Sequence, residues 1–174
     1  MSQDASTLYK LIILYMLEQA GMPLTNAQIS DFILEMEYTN YFTIQTTIKS
    51  LEENRFITLE TIRDRTTKIT ITPEGSEVLG YCIEDISDAI KQDVKRYLDK
   101  NYAEIVEETQ VVADYFESNK DEFTARCLVR DGNSTVVEIN LNVASEEEAR
   151  TICSKWKDKS QEIYGYLIHQ LLAD

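Results

Sequence analysis

Along the first half of the chain, apolar side chains recur at steps of three and four. Leu8, Leu11, Ile12, Tyr15, Met16 and Leu17 form one such stripe behind Ser6 or Thr7 as cap, and Gly21 with Pro23 stops it, so a helix is predicted over about 7–20. Thr25-Asn26-Ala27-Gln28 has capping-box spacing and precedes Ile29, Phe32, Ile33 and Met36, which predicts a second helix over about 26–36. Glu37 to Tyr41 break the pattern. Ile44, Ile48 and Leu51 then predict a third helix over about 42–54, ending at Asn54, a residue that tolerates the left-handed conformation of a helix stop.

From Phe56 the period falls to two. Phe56, Thr58, Glu60 and Ile62 oppose Ile57, Leu59 and Thr61, and after Arg63-Asp64-Arg65-Thr66 a second β-rich run, Thr67 to Thr72, completes a short hairpin. Thr72-Pro73-Glu74 reads as an N-cap, a proline at the first helical position and an acidic first turn. Three helices, a hairpin and a helix make the order of a winged helix-turn-helix. Leu79, Ile83, Ile86, Ile90, Val94, Leu98, Tyr102 and Ile105 keep helical steps, predicting one long amphipathic helix over about 81–107 whose start Gly80 can bend. Three strands are expected over 109–116, 121–130 and 134–144, the last two joined by Asp131-Gly132-Asn133. In the last strand Val137, Ile139, Leu141 and Val143 alternate with Glu138, Asn140 and Asn142, so one sheet face is wet. Ser145 caps a terminal helix over 146–172 with Ala149, Ile152, Trp156, Ile163, Leu167 and Leu171 on its inner side.

The expected fold class is therefore α+β: an N-terminal winged helix-turn-helix over 1–80, a long connecting helix over 81–108, and a C-terminal three-stranded antiparallel sheet with a terminal helix over 109–174 that dimerises or senses. Composition agrees with this reading. Five glycines and two prolines in 174 residues are too few turn formers for an all-β sandwich. Three widely spaced cysteines, Cys82, Cys127 and Cys153, offer neither a disulfide framework nor a metal knuckle, and point to a reducing cytosol. A single histidine, His169, leaves little material for acid–base chemistry, so no enzyme and no cofactor is expected. The seven-residue apolar run Leu11 to Leu17 is too short to span a bilayer, and Asp4 and Glu18 flank it, so a cytoplasmic chain without membrane attachment is expected.

Pro23-Leu24-Thr25, Leu51-Glu52-Glu53-Asn54, Phe56-Ile57 and Ile71-Thr72-Pro73-Glu74-Gly75 together resemble the winged-helix domains of MarR-like and PadR-like bacterial transcriptional regulators over about residues 5–80. The most specific element is Thr-Pro-Glu-Gly directly after the wing. One departure is Arg55, which stands where such families usually place glycine. The full-length layout also looks like a family of small acidic bacterial proteins of unknown function that carry this domain. The resemblance implies a DNA-binding regulator with the third helix in the major groove.

On that helix, with Ile44, Ile48 and Leu51 inward, Phe42, Thr46, Lys49, Ser50 and Glu53 face outward, and Thr43 and Gln45 lie toward the start. Gln pairs with adenine, Lys with guanine, and Thr or Ser with base edges or phosphate, so Thr43, Gln45, Thr46, Lys49 and Ser50 are candidate DNA contacts. The net charge of −14 opposes a phosphate partner, but its distribution matters more than the total. Of the six basic residues in 1–80, Lys49, Arg55, Arg63, Arg65 and Lys68 fall on the third helix and the wing, which makes Arg63, Arg65 and Lys68 candidate backbone contacts. The alternatives are a merely solvated helix face and a hairpin kept soluble by edge charges.

Elsewhere the signals are structural. Glu146, Glu147 and Glu148 suit a helix start without any metal. Trp156, Tyr164 and Tyr166 either line a pocket for a small-molecule effector or form core, and Cys127 and Cys153 read as buried apolar residues. The expected partners are double-stranded DNA and a second copy of the chain, joined through the helices of the second half to read half-sites about one helical turn apart. A rival reading is a protein-interaction module in which the winged helix makes no DNA contact.

Overall fold

The computed structural model describes residues 4–61, 66–132 and 134–173, the side chains of Glu108 and Thr109 excepted. Two compact units divide within one helix, at Ile105 and Val106. The molecule is α+β.

The first unit contains α1 (Ala5–Ala20), β1 (Leu24–Thr25), α2 (Asn26–Glu35), α3 (Tyr41–Glu53), β2 (Ile57–Thr61), β3 (Thr67–Ile71), α4 (Pro73–Cys82) and the greater part of α5 (Asp88–Gln110). Asp4, not Ser6 or Thr7, caps α1, its carboxylate accepting from the Ser6 N–H, and Gly21 ends the helix at φ 61°. The capping box of α2 forms as its spacing predicts: Thr25 Oγ1 accepts from the Gln28 N–H at 3.1 Å while Gln28 Oε1 accepts from the Thr25 N–H at 2.9 Å. Leu11 to Leu14, Met16 and Leu17 of α1 are buried with Ile29, Phe32 and Ile33 of α2, Ile44, Ile48 and Leu51 of α3, and Ile57 and Ile69 of the sheet.

The expected hairpin is one half of a three-stranded sheet of order β1–β3–β2. Leu24 pairs with Ile69 and Thr25 with Lys68, so β3 is the central strand. A two-residue strand leaves no period to read, which is why β1 was not expected.

The expected exit of α3 needs correction. Asn54 remains right-handed at φ −82°, and Arg55 itself takes the left-handed conformation at φ 63°. A side chain with a Cβ pays about 1–2 kcal/mol in that region. We therefore expect Arg55→Gly to raise stability by about 1 kcal/mol, somewhat less after the added freedom of glycine in the unfolded chain is counted. An unchanged or lower urea midpoint would contradict it. The bond from the Thr72 side chain to this turn survives the substitution, because it is the Arg55 carbonyl that accepts from Thr72 Oγ1 at 2.7 Å.

The single long helix expected over 81–107 is interrupted. After α4 come a 3₁₀ turn at Ile83–Asp85 and an extended Ile86, and α5 starts afresh with Ser87 Oγ accepting from the Ile90 N–H at 3.3 Å. Gly80 lies inside α4, ahead of the interruption. Along the first unit α5 is packed, with Val94 and Ile105 buried and Ile90, Tyr97 and Leu98 against the same core. Tyr97 Oη donates to the Gln28 carbonyl at 3.1 Å, and Tyr38 Oη donates to Asp93 Oδ2 at 2.7 Å. Burial, reinforced by the Asp93 carboxylate, pushes the Tyr38 phenol well above its ordinary range, so it stays a donor.

The second unit has β4 (Val111–Asn119), β5 (Glu122–Asp131) and β6 (Ser134–Val143) in one antiparallel sheet of that order, with α6 (Glu146–Leu172) packed on all three strands. Ala125, Cys127, Ala149 and Trp156 are buried, and Trp156 Nε1 donates to the Leu128 carbonyl at 3.0 Å. Arg126 Nε meets Glu138 Oε1 at 2.9 Å across the strands, holding the Glu138 carboxyl below its usual range. Cys127 is buried as expected, and desolvation pushes its thiol up to about 11, whereas Cys153 is only half-buried. The inner stripe of α6 is shorter than expected: Leu171 and Leu172 are exposed, and Tyr164 and Tyr166 line no core.

Candidate nucleic-acid interface

Helix α3 is built to be held at its start and along its inner side. Asn40 Oδ1 accepts from the Thr43 N–H at 2.9 Å, closing the first turn. Thr47, buried, spends its hydroxyl on the Thr43 carbonyl at 2.7 Å. The decisive tie is to α2. Gln45 Oε1 accepts from Asn26 Nδ2 at 2.8 Å, Gln45 Nε2 donates to Asn26 Oδ1 at 2.8 Å and to Ser30 Oγ at 3.3 Å, and Ser30 Oγ donates back to Asn26 Oδ1 at 2.9 Å. This closed polar cluster ties α3 to the start of α2.

The five α3 residues expected to meet DNA therefore divide. Gln45 is half-buried with both ends of its amide engaged, so it orients α3 and has no free edge to offer adenine. Thr43 is half-buried at the cap. Thr46 is exposed, and its hydroxyl donates to the Phe42 carbonyl at 2.9 Å. Ser50 lies beside Asn54, whose Nδ2 donates to the Ser50 carbonyl at 2.7 Å. Lys49 is exposed, and among the described residues no side chain pairs with it. The residue that sequence reasoning set aside is Phe42, 80% exposed on the same outward stripe.

On the wing, Arg63 and Arg65 lie outside the described residues. Lys68 needs correction as a phosphate contact. It is 4% exposed, and in the central strand it pairs with Thr25 of β1 and Glu60 of β2. Arg55, at the α3 exit, is exposed.

The open end of the β2–β3 hairpin is locked by the residues that follow it. The Thr72 N–H donates to the Phe56 carbonyl at 3.0 Å, and Thr72 Oγ1 accepts from the Gly75 N–H at 3.1 Å. Gly75 is buried where a Cβ would fall on the Phe56 carbonyl oxygen and 2.9 Å from Ile71 Cγ1. That is the physical content of Thr-Pro-Glu-Gly after the wing: cap, helix start, and a glycine that lets α4 begin against the β2 backbone.

Between the start of α2, Tyr41 and the wing base lies a groove of about 480 Å³ lined by Thr25, Asn26, Ser30, Asp31, Leu34 and Tyr41 among others. Its described lining carries a carboxylate and no cation, which does not suit a phosphate. Among the described residues no group of three or more histidine, cysteine or acidic side chains is arranged to hold a metal ion, and no helix is long and apolar enough to cross a membrane.

A family model described as a domain of unknown function (DUF4364) matches residues 9–171. No curated protein and no solved structure matches the chain.

Proposed function

The chain belongs to the DUF4364 family, and we propose that it is a DNA-binding transcriptional regulator of winged helix-turn-helix type, with α3 in the major groove and the β2–β3 hairpin on the phosphate backbone. One observation carries this reading. The Asn26–Gln45–Ser30 cluster holds α3 on the start of α2 along one edge, while the adjoining stripe of α3, with Phe42, Thr46 and Lys49, stays exposed within the same unit as an antiparallel hairpin. A helix packed on its inner side, tied along one edge and open on the adjoining face is the geometry a recognition helix needs. The hairpin segment with Arg63 and Arg65 supplies the backbone contacts in this proposal.

A second reading, a winged-helix protein-interaction module without DNA binding, is favoured by the burial of Lys68 and by Glu52 and Glu53 exposed at the end of α3. A fluorescence titration of the full chain on duplex DNA across salt concentrations separates them. Arg63→Ala or Arg65→Ala should each flatten the slope of log affinity against log salt by about 0.9, for all sequences alike. Lys49→Ala should relax base preference at a cost of about 1–3 kcal/mol. Wild-type behaviour from all three variants would overturn the regulator reading.

The regulator is proposed as a homodimer joined through α6. From Ile163 to Ala173 the chain carries no carboxylate, lysine or arginine, and Tyr166, Leu171 and Leu172 are exposed. Two copies of a chain with net charge −14 repel one another, and this uncharged apolar segment is where that repulsion is weakest. Light scattering should give twice the 20.1 kDa of one chain, and a mass near 20.1 kDa would remove the dimer.

A further inference from the structure

The outward stripe of α3 is less polar than its sequence suggests. At about 100° per residue, Phe42, Thr46 and Lys49 fall within an arc of about 60° on the exposed side. The hydroxyl of Thr46 is turned back to the Phe42 carbonyl at 2.9 Å, and the Gln45 amide is consumed by Asn26 and Ser30. What remains to meet a partner near the start of the helix is the Phe42 ring, 80% exposed, and the Thr46 methyl, with the Lys49 ammonium two turns on. No aromatic contact holds the Phe42 ring among the described residues, whereas Phe32 has two. A phenylalanine left in water at the start of a pinned helix is an unsatisfied apolar contact surface.

We propose that Phe42 is a specificity-determining residue that reads thymine in the major groove, its ring packing on the C5 methyl group with the Thr46 methyl beside it, while Lys49 addresses a neighbouring guanine. This inference rests on the DNA-binding reading above. The major-groove edge of thymine is the base edge that presents a methyl group, and apolar side chains, phenylalanine included, are its natural partners. Residues at the N-terminal end of a recognition helix are those that reach base edges, and Phe42 is the second residue of α3. Adenine-directed readout, which needs a free amide, has no donor and acceptor pair available at Gln45.

The test uses the full chain and a duplex enriched from a random pool, resynthesised with deoxyuridine at each thymidine in turn, which deletes the methyl and leaves base pairing intact. For the wild-type chain, one or two positions should lose about fourfold in affinity, the weight of one buried methyl group. Phe42→Ala should bind the thymidine and deoxyuridine duplexes equally at those positions, and Phe42→Leu should retain the difference. Because Phe42 is exposed, an unchanged thermal midpoint is expected for both variants and checks that the loss is one of recognition. A wild-type chain that binds an enriched duplex but is indifferent to every methyl overturns this inference and leaves the DNA-binding reading standing. Failure to enrich any duplex overturns both.

Discussion

Phe32→Ala is expected to remove about 4 kcal/mol of stability, within the range of phenylalanine truncations in packed cores. Phe32 is fully buried where α2 meets α5, with the Tyr38 ring edge-on at 5.9 Å between centroids and the Tyr97 ring tilted at 5.2 Å. Both tyrosines also tie α5 into the unit, Tyr38 through Asp93 and Tyr97 through the Gln28 carbonyl. Truncation therefore leaves a cavity and loosens two rings whose hydroxyls need their partners to stay in place. Against a total stability of about 5–15 kcal/mol, the loss is a large fraction. Urea denaturation followed by circular dichroism measures it; a cost below about 1 kcal/mol would mean that α5 is not packed on α2 as described.

Gly75→Ala should cost about 3 kcal/mol by a different route. Nothing is removed; one methyl group is added where the Phe56 carbonyl already stands. Since that carbonyl accepts from the Thr72 N–H, relief of the clash must move either β2 or the start of α4, and the cap at Thr72 with it. Flexible side chains can yield to such a methyl, but a backbone oxygen held in a hydrogen bond cannot. The substitution should therefore lower the denaturation midpoint and weaken any binding that depends on the wing. A neutral outcome would show that the Thr-Pro-Glu-Gly segment does not close on Phe56.

These two sites differ in how far the sequence announced them. Helical spacing alone put Phe32 inside, and Thr72-Pro73-Glu74 marked a helix start from cap and dipole chemistry, while the function of Gly75 depends on a carbonyl nineteen residues earlier that spacing does not reveal. The break at Ile83–Ser87 was hidden for a related reason. Ile83, Ile86 and Ile90 keep steps of three and four across it, and Ile86 and Ile90 pack into the core, so the apolar rhythm continues where the helix does not. Terminal helix α6 shows the reverse. Its 27 residues rise about 40 Å at 1.5 Å each, whereas ten-residue strands reach about 33 Å, and periodicity carries no signal for where the sheet beneath it ends.

At the candidate interface the limits were those of tertiary hydrogen bonding. The residue types on α3 were legible, and so was the outward position of Thr46 and Lys49. That Gln45 would be occupied by Asn26 and Ser30, nineteen and fifteen residues away, was not, nor was the burial of Lys68 in the central strand. The first turns the reading of α3 from an amide contact toward the exposed Phe42, and the second removes one cation from the proposed surface.

The central claim is that this acidic chain binds duplex DNA in a sequence-dependent way through α3. Its most direct test is selection from a random duplex pool by the full chain at moderate salt, followed by sequencing of the bound fraction. An enriched motif that weakens when Lys49 is replaced by alanine is the expected result. No enrichment at micromolar protein would contradict it.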